Sequence, residues 1–365
     1  MKIALVSPYA LSVFGGVQEQ VLGMSRELTA RGHEVLVVAP DGDDRTTYDT
    51  PATVQRFGSL FSIPANGSRA PLTLSRAASV AARQAVRSFA PDVVHFHEPF
   101  APRVGYATLR AHEFPSVATF HRNGEGPAVS LTRSLLRRLA RTIEVSAAVS
   151  PTAASTAREA CGADPEVLFN GFEMDRFSMY PRSIPATPTL ITVGRLEERK
   201  GVAVAIEAVQ HHNARCAPGD EWRLLIVGDG PQRSALMASV TDGRISFVGA
   251  VSDEEKRRIM REASAALCPA LHGESFGLVL LEAMASSVPV VASDIPGYAQ
   301  AASSHAALFR VGDVADMERA IATALAATPA SLDAAREYAR GWSMATLVDR
   351  YVELYEEAKT RYRAR

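Results

Sequence analysis

Apolar residues recur along this chain in short runs that alternate with amphipathic stretches, as in folds that alternate strands and helices. The run Lys2–Val6 predicts a strand, Val17–Arg31 predicts a helix that ends at Gly32, and Glu34–Ala39 predicts a second strand. The first half continues in the same way, with a helix at Leu72–Phe89, strands at Val93–His97 and Val117–Phe120, a helix at Val129–Thr142 and a strand at Val145–Val149. Strands separated by helices indicate a parallel sheet that is covered on both faces.

A second alternating series follows the irregular, proline-rich stretch 173–188, which we interpret as a linker. The predicted strands are Thr189–Val193, Arg223–Val227, Ile245–Val248, Ala265–Cys268 and Pro289–Ala292, with a helix at Val202–His212. The expected fold class is α/β, with two facing Rossmann-like domains at residues 1–172 and 189–343 and a deep crevice between them. The amphipathic stretch 344–365 predicts a last helix that is a candidate to pack back onto the first domain.

Length and charge narrow the class of protein. A chain of 365 residues that is 47% hydrophobic favours two cores, and a net charge of -1 argues against a nucleic-acid-binding protein. Between Arg69 and Arg141 there are eleven arginines and four acids, a candidate surface for anionic lipid or substrate. The three cysteines are widely spaced, and the sequence has no signal peptide or membrane span, so we expect a reducing, cytoplasmic location.

Candidate chemistry in the second half lies where predicted strands end. Arg195 follows one such strand and Lys200 precedes the next helix, so their natural partner is a diphosphate. Glu274 and Glu282 flank a turn at Gly277, where a predicted helix offers free main-chain N–H groups to an anion. The neighbouring charges Glu197, Glu198 and Arg199 are interpreted as surface residues.

In the first half, Gly16 and His121 follow predicted strands. Gly16 would let a phosphate or sugar approach the main chain at a helix start, and His121 would point into the same crevice.

Metal and redox cofactors are not expected. The sequences concerned are His95-x-His97-Glu98, which lacks a third ligand; Asp41-Gly-Asp43-Asp44, interpreted as a turn; and Gly228-Asp-Gly230, whose third glycine position holds Arg233.

Two other reaction classes compete at the same stretch. Gly273-Glu-Ser-Phe-Gly277 has the spacing of a serine hydrolase nucleophile elbow, with Asp294 and His305 downstream. However, the preceding predicted strand ends near Cys268 and does not turn sharply at Ser275. A glycosidase using Glu274 and Glu282 is disfavoured because eight helical residues rise about 12 Å, whereas paired glycosidase carboxylates lie roughly 5–9.5 Å apart.

Taken together, these motifs resemble the retaining family-4 glycosyltransferases, whose fold is two facing Rossmann domains (GT-B). The resemblance spans nearly the whole chain and looks closest to the phosphatidyl-myo-inositol mannosyltransferases of actinobacteria. The family resemblance rests on Gly15-Gly16, His121, Gly194-Arg195, Lys200-Gly201 and Glu274-x7-Glu282. The likeness to the mannosyltransferases rests on Ser7-Pro-Tyr9, Phe14-Gly-Gly-Val-Gln18, Ile63-Pro-Ala-Asn-Gly-Ser68, His97-Glu-Pro99, Ala118-Thr-Phe-His121 and Gly273-Glu-Ser-Phe-Gly277.

The resemblance implies a role for each matched position. Arg195 and Lys200 would hold the donor diphosphate without a metal, Glu274 the donor sugar and Glu282 the ribose. His121 would contact the sugar near the acceptor. The remaining donor contacts would be Gly16, Val251, Lys256, Phe276, Gly277 and Leu278.

The expected reaction moves a hexose, most simply mannose from GDP-mannose, to an inositol-like hydroxyl, and it retains the anomeric configuration. Tyr9, Asn66 and Arg69 are the candidate acceptor residues. Peripheral contact with an anionic membrane is expected if the acceptor is a phospholipid. The open alternatives are a UDP-sugar transferase acting on a soluble aminocyclitol or other natural product, and a non-catalytic nucleotide-sugar-binding module.

Overall fold

A computed structural model describes residues 1–12, 15–40, 48–65, 68–101, 104–122, 129–274 and 277–365. Of residues 61–65, 68–71, 129–132 and 178, only the main chain is described.

The strands, in chain order, are β1 Lys2–Val6, β2 Glu34–Pro40, β3 Thr53–Phe57, β4 Phe61–Ala65, β5 Ser68–Leu72, β6 Val93–His97, β7 Ser116–Phe120, β8 Val145–Ala148, β9 Glu166–Val167, β10 Thr189–Val193, β11 Arg223–Val227, β12 Ile245–Gly249, β13 Ala265–Cys268, β14 Val290–Ser293 and β15 Ala307–Phe309. The helices are α1 Gly16–Ala30, α2 Arg76–Phe89, α3 Tyr106–Ala111, α4 Val129–Ala140, α5 Pro151–Cys161, α6 Met174–Ser178, α7 Val202–Asn213, α8 Arg233–Ala238, α9 Asp253–Arg261, α10 Leu278–Ala285, α11 Pro296–Ala302, α12 Val314–Leu325, α13 Pro329–Arg340 and α14 Met344–Arg363.

The chain forms two compact units. The first comprises Met1–Gly171 together with Met344–Arg365, and the second comprises Phe172–Ser343. Within the described residues, the first unit contains a parallel sheet in the order β3-β2-β1-β6-β7-β8-β9, and the second a parallel sheet in the order β12-β11-β10-β13-β14-β15. The predicted pair of parallel-sheet α/β domains is confirmed.

Each sheet reverses its strand order once. In the first unit the chain adds β2 and β3 on one side of β1 and then crosses to β6 on the other, and in the second unit it does the same at β10 and β13. The crevice outside the carboxyl ends of the strands at such a reversal is where open α/β sheets bind ligands. The two reversals therefore locate the candidate site residues.

The first sheet is buried on both faces, as a parallel sheet requires. Along β1, Ile3 and Leu5 pack in one core with α1 and α14, whereas Ala4 and Val6 pack in another with α2. Because neighbouring residues of a strand point to opposite faces, this continuous apolar run fills two cores.

The last helix, α14, belongs to the first unit and is held there by buried polar contacts. The hydroxyl of Tyr351 bonds Thr119 Oγ1 at 2.7 Å, and that of Tyr355 bonds His95 Nδ1 at 2.9 Å. Both tyrosines are at most 1% exposed. The carboxyl-terminal stretch is thus an integral part of the first core.

The structure also differs from several sequence predictions. The helix predicted to begin at Leu72 begins at Arg76, where Ser75 Oγ accepts from Ala78 N at 3.1 Å, and Leu72 instead ends an antiparallel β4-β5 hairpin. The stretch interpreted as a linker contains the short helix α6 and belongs to the second unit. Among the described helices, none has the length and apolar character needed to cross a membrane.

The Tyr355 contact yields a stability prediction. Tyr355→Phe should lower the free energy of unfolding of the first unit by about 1–3 kcal/mol, because the buried His95 Nδ1 loses its partner. Urea unfolding followed by far-UV circular dichroism measures the loss. The matched control is Tyr362→Phe, whose hydroxyl donates to the main-chain oxygen of His112 in a half-buried position. Equal stability of the wild type and the Tyr355 variant would contradict this role.

Candidate active site

At the strand reversal of the second unit, loops meet in close main-chain contact. The loop after β10 begins at Gly194, whose N–H donates to Val227 O at 3.0 Å. A Cβ atom on Gly228 would lie 1.9 Å from Gly194 O, and one on Gly230 would lie 2.6 Å from Leu196 O. The glycines of the Gly228-Asp-Gly230 sequence therefore serve the packing of these loops. This explains the sequence without a dinucleotide.

Two cations and one carboxylate form the centre of this edge. Lys200 Nζ lies 2.7 Å from Glu274 Oε1, and Arg199 Nη1 donates to the same oxygen at 2.6 Å. Arg199 also binds Glu197, with 2.9 Å between Nε and Oε2. Interpreting Arg199 and Glu197 as ordinary surface charges was wrong, because Arg199 joins Glu197 to the candidate sugar-binding carboxylate.

The main chain fixes the position of Lys200. Gly201, with φ 63°, has its α-carbon so close to the loop after β13 that a Cβ atom would lie 1.9 Å from Pro269 O. The N–H of Leu271 donates to Arg199 O at 2.8 Å. The two loops are thus held together by main-chain packing as well as by charge.

Arg195 is more open than its neighbours. Its guanidinium lies 3.1 Å from Glu197 Oε1, and the side chain is 57% exposed. A recess at this edge is lined by Gly194, Arg195, Lys200, Cys268, Pro269 and Tyr298. An exposed arginine beside such a recess is available to an anionic ligand.

Glu282 occupies a separate position on α10. Its Oε1 lies 3.2 Å from Nζ of Lys256, on α9, and Lys256 also lies over the ring of Phe177 at 5.5 Å. Val251, the other residue predicted to meet the base, is half-buried and precedes the α9 cap, Ser252. Each of the two candidate carboxylates is therefore paired with its own lysine.

Helix α10 begins at Leu278 after Gly277, which has φ 76°. A Cβ atom on Gly277 would lie 2.6 Å from the ring of Tyr298, so both backbone conformation and packing favour glycine there. Gly277 supplies no side-chain cap, and Leu278 is half-buried. Phe276 and Ser275 lie outside the described residues. The hydrolase interpretation also needs a strand that ends at its serine, whereas β13 ends at Cys268.

In the first unit, His121 follows β7 and contacts a second histidine. His121 Nε2 lies 3.0 Å from His97 Nδ1, and the ring centroids are 5.2 Å apart. Burial lowers the pKa of His121 to about 3. The imidazole is therefore neutral at pH 7, when it can both donate and accept a hydrogen bond.

Glu98 is a further candidate residue, to which the sequence assigned no role. Its carboxylate accepts from the main-chain N–H of His121, and its own φ is 48°, which is uncommon for a residue with a side chain. Burial raises the pKa of Glu98, while hydrogen bonds from the main chain of His121 and Arg122 oppose the shift. The sequence signal was the His97-Glu98 pair at the end of a strand, which was considered as a metal site and as part of the family resemblance, without a role for Glu98 itself.

For the other candidate residues of the first unit, the structure describes Tyr9 and Gly16 in full but Arg69 and Asn66 only in part or not at all. Tyr9 is half-buried, and burial together with the nearby Glu98 raises its pKa to about 12. Gly16 begins α1, is exposed, and a Cβ atom there would meet no atom within 4 Å. Arg69 lies in β5, where only its main chain is described, and Asn66 lies outside the described residues, as does Asp41-Gly-Asp43-Asp44. Among the described side chains, no group of three or more His, Cys, Asp or Glu could hold a metal ion.

Solved structures share this architecture. The chain superposes on a glycosyltransferase from Rickettsia africae with a TM-score of 0.74 at 16% identity, covering 98% of each chain. It superposes on Anabaena HepE, solved with UDP and glucose, with a TM-score of 0.67 at 17% identity, covering 98% of this chain and 99% of that one. The fold is that of the two-domain GT-B glycosyltransferases.

Sequence comparison identifies the family. Residues 187–327 match the model described as "Glycosyl transferases group 1", and residues 14–176 match "Glycosyltransferase Family 4". A phosphatidyl-myo-inositol mannosyltransferase of Mycobacterium leprae is 36% identical over 312 residues, which cover 82% of this chain and 80% of the relative. The chain belongs to the family-4 glycosyltransferases, and it is a glycosyltransferase.

Arg199 provides a first test of this site. Arg199→Ala should lower kcat/KM by about ten- to a hundredfold, because Glu274 loses a charge-assisted hydrogen bond of about 1.5–3 kcal/mol. Steady-state kinetics measures the effect. The matched control is Arg215→Ala, which removes an exposed arginine paired with Glu318 on the same unit. Kinetics unchanged in both variants would show that Arg199 does not act through Glu274.

The lowered pKa of His121 predicts how stability depends on pH. In the unfolded chain His121 takes up a proton near pH 6.5, but in the folded chain only near pH 3, so the unfolded state binds more protons between these values. Stability should therefore fall as the pH drops below about 6.5. His121→Asn should reduce this slope by at most about 1.4 kcal/mol per pH unit. Urea unfolding at pH 4–7 measures it, with exposed His272→Asn as control; an unaltered slope in the His121 variant would contradict the prediction.

Proposed function

We propose that this enzyme transfers a hexose from a nucleotide diphosphate sugar to an inositol- or cyclitol-like hydroxyl, with retention of the anomeric configuration. The observation that carries the proposal is the Lys200–Glu274–Arg199 cluster at the strand reversal of the second unit. A diphosphate needs cations that are fixed in place, and a sugar needs fixed hydrogen-bonding groups. The cluster offers both.

In the proposed reaction the second unit holds the donor. Arg195 and Lys200 bind the diphosphate and stabilise the negative charge that develops as it leaves, the step at which electrostatic assistance is largest. In this role they replace a metal ion. Lys200 is paired with Glu274 in the structure, so the incoming diphosphate competes for it, and Arg199 keeps the carboxylate paired while Lys200 turns to the phosphates.

Other donor groups fit separate positions. Glu274 accepts hydrogen bonds from the sugar, together with the main chain around Phe276, Gly277 and Leu278, and Glu282 accepts from the ribose. The pairing with Lys256 holds the Glu282 carboxylate on the α9 side, where Val251 meets the base. Gly16 leaves open space at the start of α1, where its missing side chain admits the phosphate or sugar.

His121 acts on the acceptor side of the sugar as a neutral hydrogen-bonding group. Its pKa near 3 argues against a role as a charged acid at pH 7. The acceptor proton is then taken up with help from the leaving phosphate, as the front-face mechanism of retaining enzymes requires. Tyr9, Asn66 and Arg69 are the proposed acceptor contacts.

Mannose from GDP-mannose and phosphatidyl-myo-inositol are the first choice of substrates, supported by the name of the Mycobacterium leprae relative. Such an acceptor would bring the enzyme into peripheral contact with an anionic membrane. The second candidate is a UDP-sugar transferase acting on a soluble aminocyclitol. The UDP and glucose bound to Anabaena HepE support its donor.

One feature of the first unit favours the soluble acceptor. Of the three arginines on α2, Arg83 and Arg87 both pair with Glu113, at 2.7 and 3.5 Å. An arginine near an anionic bilayer contributes about 1 kcal/mol to membrane attraction. Partial neutralisation by Glu113 weakens this contribution on α2.

Ligand binding and transfer assays test the proposal together. GDP, UDP and their sugars are compared by thermal shift with wild type, Lys200→Ala and the control Arg215→Ala, since a ligand that binds the folded state raises its stability. The GDP ligands should raise the melting temperature of wild type and of the control but not that of Lys200→Ala. The labelled sugar should then pass to phosphatidylinositol in vesicles, and nuclear magnetic resonance should show an α-linked product from the α-configured donor.

Other results separate the alternatives. A response to UDP ligands and transfer to soluble cyclitols would select the second candidate, and tight binding without turnover on any acceptor would favour a binding module. Fluorophosphonate labelling that is lost together with activity in Ser275→Ala would refute the transferase and support a hydrolase.

A further inference from the structure

A second cavity lies at the opposite edge of the first unit's sheet. Its volume is about 490 Å³, and its lining includes Glu144 and Val145 at the start of β8 and Glu166 at the start of β9. The candidate residue His121 follows the carboxyl end of β7, whereas this cavity is at the amino ends of neighbouring parallel strands. The cavity is therefore separate from the site described above.

The carboxylates that line this cavity already have cationic partners. The pairs are Glu144 with Arg365 (3.0 Å), Asp164 with Arg158 (2.9 Å), Glu166 with Arg350 (2.5 Å) and Glu357 with Arg361 (2.5 Å). Glu144 additionally binds His112 at 2.8 Å. Each carboxylate of the lining thus has at least one cationic partner, although Arg350 also pairs with Glu353 outside the lining, and this disfavours a cation site.

Two positive charges of the lining are not compensated. Arg137 is in the last turn of α4, and Arg141 comes four residues after it, directly beyond the end of the helix at Ala140. The two residues are therefore about one helical turn apart on the same side and line the same cavity. Within the ranges that the structure describes, neither guanidinium forms an ion pair or hydrogen bond. Both are exposed at the cavity. The charges still available to a ligand are positive.

The remaining wall carries no charge and includes apolar residues. Ala140, Ile143 and Ala163 lie beside Leu354 of α14. Cys161 lies there too, and because burial raises the pKa of its thiol, it contributes a neutral group and not a thiolate. A ligand here would meet guanidinium groups on one side and hydrocarbon on the other.

We propose that this cavity binds a small amphipathic anion: a phosphate ester whose other end is apolar or planar. Guanidinium groups bind phosphate through two parallel hydrogen bonds, and two of them one helical turn apart suit the several oxygens of one phosphate. The cavity volume is within the range of small-molecule sites, about 300–1,000 Å³. This inference does not depend on the proposed donor or acceptor.

Isothermal titration calorimetry of the full chain with 1-naphthyl phosphate tests the proposal. We expect wild type to bind with a Kd of about 1 mM or tighter, and Arg137→Ala/Arg141→Ala to bind at least about tenfold more weakly, the effect of losing one or more charge-assisted hydrogen bonds. The matched control is Arg138→Ala, which removes an exposed arginine of the same helix that does not line the cavity. Neutral 1-naphthol should bind more weakly than the phosphate.

The source of any binding is checked with further variants. Arg195→Ala should leave binding unchanged, and loss of binding in that variant would place the ligand at the donor site and overturn the proposal. No binding by wild type, or equal weakening by Arg138→Ala, would also overturn it. If wild type ignores 1-naphthyl phosphate but the double variant loses co-sedimentation with phosphatidylglycerol vesicles, the surface is a membrane contact and the small-ligand proposal is wrong. Should the double alanine variant not fold, Arg137→Lys/Arg141→Lys tests the same bidentate contacts with the charge retained.

Discussion

The contact of Glu274 with Lys200 and Arg199 is the interaction on which the candidate site of the second unit depends. It joins the loop after β10 to the loop after β13, across the point where the strand order reverses. The main chains of these loops also pack directly against each other, where Gly201 approaches Pro269 O. If Glu274 binds the donor sugar as proposed, a carboxylate already fixed by two cations would need little reorganisation, which is the advantage of a preorganised site.

The charges of this cluster largely compensate one another, which limits their desolvation penalty. Glu197 and Glu274 carry two negative charges, and Arg195, Arg199 and Lys200 carry three positive ones, so one positive charge is left in excess. Partly buried charges without partners would be costly. A diphosphate would add roughly two negative charges to the site. The excess positive charge would offset one of them, and Lys200 would offset the other by moving from Glu274 to the phosphate. The extra positive charge of Arg195 would thus help to bind the diphosphate, and the hydrogen bond from Arg199 would keep Glu274 paired when Lys200 moves away.

The sequence predicted both parallel sheets because a strand buried on two faces leaves an unbroken apolar run, as in Lys2–Val6. It also predicted that Arg195 and His121 follow strands, since the end of an apolar run can be read from the sequence. It did not predict the role of Arg199 or Glu98. Both act through partners distant in sequence, Glu274 and His121, and a charge next to a loop looks the same whether it faces solvent or a carboxylate. The β4-β5 hairpin was missed because Pro64 and Pro71 disrupt the usual strand pattern.

The polar residues at the candidate site of the first unit are neutral histidines, whereas those of the second unit are charged. This difference constrains the part of the first unit in the proposed reaction. Burial lowers the pKa values of His95 and His121 to about 3 and so keeps both neutral. His95 bonds Tyr355 and Thr119 inside the core, and His121 bonds His97 at the end of the neighbouring strand. A neutral imidazole can exchange hydrogen bonds with sugar hydroxyls without adding a charge that would compete with the cations for the diphosphate. The main-chain hydrogen bond to Glu98 holds the end of β7 in place, and the contact with His97 Nδ1 orients the ring of His121. In the proposed reaction the second unit therefore supplies all the charged groups that meet the donor, and the first unit contributes a neutral hydrogen-bonding group near the acceptor.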